Sequence, residues 1–381
     1  MKVELHLEPR APAGIPAMSA LADAQLVLFF LSPEYADAAR YVTGLQQRYP
    51  QAQLVGCTTG GEIAYHEAHT GTAVSAAIRL ERSVLRVSQT AVTGMHGSYE
   101  AGRVLASQLN DATLRLVFVL SDGLQVNGSE LVRGLTEHLG AKVIVTGGLA
   151  GDGPRFAKTG VGVNGPPVSG SIAAVGFYGA TLAVSYGSVG GWIKFGPERL
   201  ITRAAGNVLY ALDGKPALDL YKRYLGEEAA KLPGSGLHFP LSIRRTDDMP
   251  HDVVRTIIGI DEQARSLIFA GDVPEGYTAQ LMRGNLENLV DGAADAALLA
   301  LKHFSAARTA SGTLGILVSC IGRTLVMGQR ASDEVQAVKQ ALGDVSLAGF
   351  YSYGEICHHP YTGKCGLHNQ TMTITLLSEA A

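Results

Sequence analysis

Three stretches of this chain can be laid over one another, and that internal repeat limits what the chain can become. Each stretch reads as an apolar strand, a helix, a second apolar strand and a glycine-rich loop carrying an acid. The first runs from Gln25 to Ile63, with a strand over Leu26–Leu31, a helix capped by Ser32 with Pro33 in its first turn, and a strand over Gln53–Val55. The second begins at Leu114, with a strand over Leu116–Leu120, Ser129 capping a helix over Glu130–Leu139, and a strand over Val143–Val145. The third begins at Thr313, with a strand over Leu314–Ser319, Ser332 capping a helix over Asp333–Leu342, and a strand over Val345–Leu347. The acids follow a glycine in all three loops: Gly61-Glu62, Gly151-Asp152 and Gly354-Glu355. The outer two share Leu-x-Gly-x4-Gly-Glu-Ile.

Strand–helix–strand favours two parallel strands joined by a right-handed crossover. Further strands after each loop, over Thr72–Leu80, Ser171–Phe177 and Thr371–Leu377, add antiparallel pairing. The expected fold class is therefore α/β, with two related halves built from the repeated unit. A chain of 381 residues is long for one core, and the boundary is expected near residue 210, giving domains 1–210 and 211–381. Between the second and third copies, Asn207–Leu212 and Pro216–Leu225 read as helix, turn, helix. Val253–Ile260 with Ser266–Ala270 reads as a hairpin, and Leu286 to Phe304 as a long amphipathic helix.

Composition narrows function mainly by exclusion. Net charge is −3 with no basic block, which argues against nucleic acid as a partner. No apolar run reaches membrane-spanning length and no secretory signal leads the chain, so a cytoplasmic protein without a membrane partner is expected. Cys57, Cys320, Cys357 and Cys365 show no Cys-x-x-Cys spacing, as expected for thiols in a reducing compartment. P-loop, dinucleotide-loop and Gly-x-Ser-x-Gly patterns are absent.

The loops and their surroundings supply the candidate site. Ligands of open α/β sheets bind beyond the carboxyl ends of the strands, where these loops fall. Glu62, Glu355 and Asp152 are candidate acids, although glycine–acid at a strand end is also a common turn whose carboxylate caps nearby N–H groups. Cys57 is a candidate nucleophile without an evident base, and a buried inert thiol is its plainer reading. His358, His359 and His368, near Tyr351, Tyr353 and Tyr361, are candidate metal or haem ligands. The competing reading of His368 is a structural hydrogen bond, and that of His358-His359 a solvated loop.

The motifs Val55-Gly56-Cys57-Thr58-Thr59-Gly60-Gly61-Glu62-Ile63, Gly147-Gly148-Leu149-Ala150-Gly151-Asp152 and Asp213-Gly214-Lys215-Pro216-Ala217-Leu218-Asp219 resemble the N-terminal FIST domain. Gly349-Phe350-Tyr351-Ser352-Tyr353-Gly354-Glu355-Ile356 and Leu367-His368-Asn369-Gln370-Thr371 resemble the C-terminal FIST domain. The resemblance implies a sensory protein of intracellular signal transduction rather than an enzyme, with Tyr353 and Asn369 joining the ligand-binding set. The last motif is similar to a subgroup of haem-dependent nitric-oxide sensors, which implies haem b. It also implies a histidine kinase or cyclic-di-GMP enzyme regulated in trans, with a homodimer as one possible assembly. The chain departs from that subgroup at Cys357-His358-His359-Pro360. Its alternatives are a sensor of amino acids or other small metabolites without haem, and a cysteine- or carboxylate-dependent hydrolase or transferase.

Overall fold

A computed structural model describes residues 1–9, 19–245, 252–305, 312–359 and 362–380. The protein is a mixed α/β structure in which the repeat closes on itself. Three sheets share one plan. In the first, Lys2–Glu8, Ala73–Arg79, Leu26–Leu31 and Gln53–Thr58 lie side by side in that order. In the second the order is Val84–Ala91, Ser171–Tyr178, Leu114–Ser121, Ile144–Leu149. In the third it is Leu182–Val189, Met372–Glu379, Thr313–Cys320, Ser346–Ser352. The last two strands of each set are parallel and the others antiparallel.

Each unit then lends an arm to another. Glu62–Ala64 and Glu67–His69 extend the third sheet beside Ser346–Ser352. Val161–Val163 extends the first beside Gln53–Thr58. Gly354–His358 and Cys365–His368 extend the second beside Ile144–Leu149. The exchange is cyclic, so no unit completes its sheet alone.

Seven α-helices appear among the described residues: α1 (Ala38–Arg48), α2 (Ser98–Leu109), α3 (Gly128–Thr136), α4 (Ala217–Leu225), α5 (Leu286–Lys302), α6 (Ile321–Met327) and α7 (Ala331–Leu342). α5 bears out the amphipathic periodicity from Leu286. The cap assignments need correction in all three copies. Ser32 accepts from Glu34 N–H in a tight turn, and Asp37 caps α1 instead. Asn127, not Ser129, caps α3. Ser332 lies inside α7, where its hydroxyl accepts from Ala68 N–H of the arm packed alongside. The expected cap was a hydroxyl near the start in each case, but α1 begins well beyond Ser32, after Asp37, whereas α3 and α7 begin before Ser129 and Ser332.

Apolar alternation places the inner faces of the three sheets in one core. Phe30 and Phe350 stack there at 4.9 Å, with Phe118, Val175, Ile316 and Leu377 around them. Burial of each such side chain contributes about 1.5–3 kcal/mol. The helices cover the outer faces.

Residues 193–283 interrupt the third unit between its first strand and α5. They carry a nine-stranded sheet with its own core around Leu209, Tyr221, Leu267 and Phe269. Val208–Leu212 is a strand here, not the helix expected from its apolar content, because it pairs with Arg199–Ala205 and Ser266–Phe269. α4 forms as expected. Of the hairpin expected over Val253–Ile260 and Ser266–Ala270, Ile257–Asp261 pairs with Ser266–Phe269, but Val253–Arg255 breaks away to pair with Leu241–Arg245. Residue 210 lies in this inserted sheet.

Candidate functional site

The three glycine loops meet one another instead of opening onto solvent. Gly60 N–H donates to Tyr351 O at 2.7 Å, Gly151 N–H to Thr58 O at 3.0 Å, and Tyr353 N–H to Leu149 O at 3.1 Å. The donors hold one position in the repeat and the acceptors another, so the bonds run in a ring through the units. Backbone groups that would have to greet a ligand are thereby spent on the fold.

Glu62 and Glu355 are fully buried beside this ring. Glu355 accepts from Ser352 Oγ at 2.8 Å, Thr371 N–H at 3.1 Å and Thr371 Oγ1 at 2.9 Å. Glu62 accepts from Thr59 Oγ1, Thr72 N–H at 3.0 Å and Thr72 Oγ1 at 2.7 Å. Burial nevertheless dominates, raising the Glu62 carboxyl to about 7 and that of Glu355 to about 8. Cys57 lies in the same interior. Burial, and the neighbouring Glu62 charge, push its thiol well above the ordinary range. Such a thiol is a poor nucleophile. All four thiols are free.

Asp152 and Tyr353 are brought together from different units. The Tyr353 hydroxyl donates to Asp152, which also accepts from Lys158 N–H at 2.8 Å and Ala157 N–H at 3.0 Å. Burial pushes the Asp152 carboxyl up, but these hydrogen bonds outweigh it and leave the group below its ordinary value. Phe156 stacks on Tyr353 at 4.5 Å. Asn369 is buried, and neither side-chain atom has a hydrogen-bond partner among the described residues.

The histidines divide. His358 accepts from Val145 N–H at 2.9 Å on Nε2 and donates from Nδ1 to Gly363 O at 2.8 Å, so both ring nitrogens are committed. Burial holds it below its usual pKa despite that second bond. His368 Nε2 donates to Cys357 O at 3.0 Å, and burial lowers the ring to about 4, with Arg255 adding repulsion. His359 stacks beside His368 at 6.3 Å. Pro360 and Tyr361 lie outside the described residues. Among the described residues, no three His, Cys, Asp or Glu side chains gather to hold a metal ion.

His359 and His368 form one wall of a cleft of about 530 Å³. α3 forms a second wall, and the inserted sheet, through Ile243, Arg244, Arg255 and Tyr277, the third. Its lining is charged, with five basic and two acidic side chains, which is a poor surround for a flat apolar porphyrin. Together with the committed nitrogens of His358, this makes the residues present a poor fit to haem.

The basic group at the base of the cleft is Arg255, which the sequence reading passed over. It is 9% exposed and donates only to carbonyls: Nε to Asp272 O at 2.9 Å, and Nη1 to Leu367 O at 3.0 Å and Val254 O at 3.3 Å. Among the described residues no carboxylate hydrogen-bonds it, although the Asp272 charge lies near enough to favour its cation, and its Nη2 makes no hydrogen bond. A charge alone in the apolar run Val253–Ile260 was the signal available in the sequence.

The family follows from models that match two consecutive segments, the FIST N domain over residues 25–215 and the FIST C domain over residues 217–358. The chain belongs to the FIST family. FIST domains are small-ligand sensory domains of signalling proteins. The family segments and the three units divide the chain differently, since the third unit opens at Leu182–Val189, inside the FIST N segment. This FIST protein is similar to an uncharacterized protein of Mycobacterium tuberculosis, 24% identical over 97% of this chain and 94% of the relative. It is also similar to an uncharacterized protein of Methanocaldococcus jannaschii, 25% identical over 71% of this chain and 56% of that one. Among solved structures, a cyanuric acid hydrolase covers the whole chain and 99% of its own at 8% identity, with a TM-score of 0.36. That likeness is too loose to carry any activity across. Among the described residues, no helix is long and apolar enough to cross a membrane.

Proposed function

We propose that this FIST protein is a sensor that takes up a small metabolite, without haem and without turnover, in the cleft between α3, the Cys365–His368 strand and the inserted sheet. The observation that carries this reading is the cleft itself, the 530 Å³ space where two units and the insertion meet. A ligand there touches three bodies at once and so biases their relative placement, which is what a sensor must do. An amino acid is the class the family resemblance points to. A non-catalytic role is supported by the buried thiol of Cys57 and by Glu62 and Glu355, whose oxygens are held by local hydroxyls and N–H groups. Output then passes to a partner chain, a histidine kinase or cyclic-di-GMP enzyme, in the cytoplasm.

The test is a thermal-shift screen of the full chain against a panel of amino acids and small metabolites, repeated with Thr136→Trp. Thr136 lies on the cleft face of α3, and the indole should fill the space. Hits on the wild type should disappear in the variant. A ligand that stabilises both proteins equally refutes the cleft as its site.

A further inference from the structure

Three independent features converge at the end of the cleft nearest Asn127. The first is Arg255, a buried guanidinium whose Nη2 has no partner among the described residues. Burial outweighs the help that the nearby Asp272 charge gives this cation, and a buried charge without a directly bonded counter-charge is costly. The second is Ser129, which lines the same cleft with a buried hydroxyl that has no hydrogen-bond partner among the described residues. The third is the start of α3, where Asn127 Oδ1 caps Glu130 N–H and the preceding N–H groups carry the positive end of a nine-residue helix. Asp272 stands beside both Asn127 and Arg255: one carboxylate oxygen accepts from Asn127 Nδ2 at 3.1 Å, its main-chain oxygen accepts from Arg255 Nε at 2.9 Å, and its charge favours the Arg255 cation. Glu130, the other acid of the lining, is tied to Arg133. Neither carboxylate hydrogen-bonds Arg255 directly.

We propose that this corner binds the anionic oxygens of the ligand, a carboxylate or a phosphoryl group, between the Arg255 guanidinium, the Ser129 hydroxyl and the first turn of α3. The inference rests on the cleft being the sensory site and adds the chemistry that the site selects. Guanidinium presents paired N–H donors to such oxygens, and a helix start adds donors of the same sign. One occupant thus meets both the remaining Nη2 donors of Arg255 and the Ser129 hydroxyl.

The experiment measures binding of acetate and of inorganic phosphate to the full chain by ligand-observed NMR, at constant ionic strength held with chloride. Wild type, Ser129→Ala and Arg255→Gln are compared. At least one anion should bind the wild type, weaken about tenfold in Ser129→Ala and be lost in Arg255→Gln. Which anion binds more tightly then separates carboxylate from phosphoryl recognition. Ser129→Ala removes one hydroxyl and keeps the helix cap, so it carries the test if Arg255→Gln misfolds. If neither anion binds the wild type, or Ser129→Ala binds as wild type does, the anion site is overturned. A neutral metabolite that binds, is blocked by Thr136→Trp and ignores both variants also overturns it, while leaving the sensory cleft standing.

Discussion

Glu62 and Glu355, 293 residues apart in sequence, occupy the same place in two different units. Each accepts from a hydroxyl three residues earlier, Thr59 or Ser352. Each also accepts from the N–H and hydroxyl of the threonine just before the return strand, Thr72 or Thr371. Each further pairs across the arm with a histidine, His69 or His368. The shared loop pattern is thus a shared carboxyl bracket.

That bracket makes stability depend on pH. With the Glu355 carboxyl raised to about 8 and an unfolded value near 4.5, the folded state holds the proton more tightly. Its contribution is full below the unfolded value and is lost as pH rises through 8. Denaturant titrations of Glu355→Gln should show a shallower loss of stability from pH 5 to 8 than wild type, by roughly 1–3 kcal/mol at the upper end. Identical pH profiles for the two proteins would remove the buried neutral carboxyl.

His368 works in the opposite direction. Burial depresses the ring to about 4, so the unfolded chain binds its proton first. Stability is complete above the unfolded value near 6.5 and falls as pH drops toward 4. His368→Gln should flatten the acid limb of the thermal melts. An unchanged acid limb would show that another group sets it.

Two equivalent glycines are packed too closely to carry a side chain. A Cβ at Gly349 would stand 1.9 Å from Leu317 O, and at Gly56 2.2 Å from Phe29 O, both across parallel strand pairs. Gly349→Ala and Gly56→Ala should each cost about 3 kcal/mol or more through strand separation. Gly354→Ala should cost less, since its Cβ meets the Leu367 methyl at 2.9 Å, and that end of the side chain can move. Chemical denaturation ranks the three, and equal losses would mean the strand approach is not the cause.

Tyr353 links the third unit to the second through Asp152. Tyr353→Phe removes a hydrogen bond to a buried carboxylate and should cost about 1.5–3 kcal/mol, with the Asp152 carboxyl rising toward neutrality. A carbon-detected NMR titration of Asp152 reads the rise, and a stationary value would place the bond outside the folded state in solution.

The sequence by itself determined the repeated unit, its strands and the positions of its acids, because alternation and glycine spacing are local properties. Leu26–Leu31, Thr313–Cys320 and α5 appear almost as the pattern required. Caps were misread because Ser32, Ser129 and Ser332 are hydroxyls whose partners depend on where the chain turns next. Only the tertiary structure decided that the units exchange arms in a ring, since that depends on pairing between strands hundreds of residues apart. The ring turned the glycine loops inward and used up their backbone donors. It also set Ser129 from the second unit against Arg255 of the insertion, 126 residues later, in a cleft that neither segment forms alone. Local pattern can show a charge in an apolar run, but only packing shows that its donors meet carbonyls, with the nearest carboxylate, Asp272, held by Asn127.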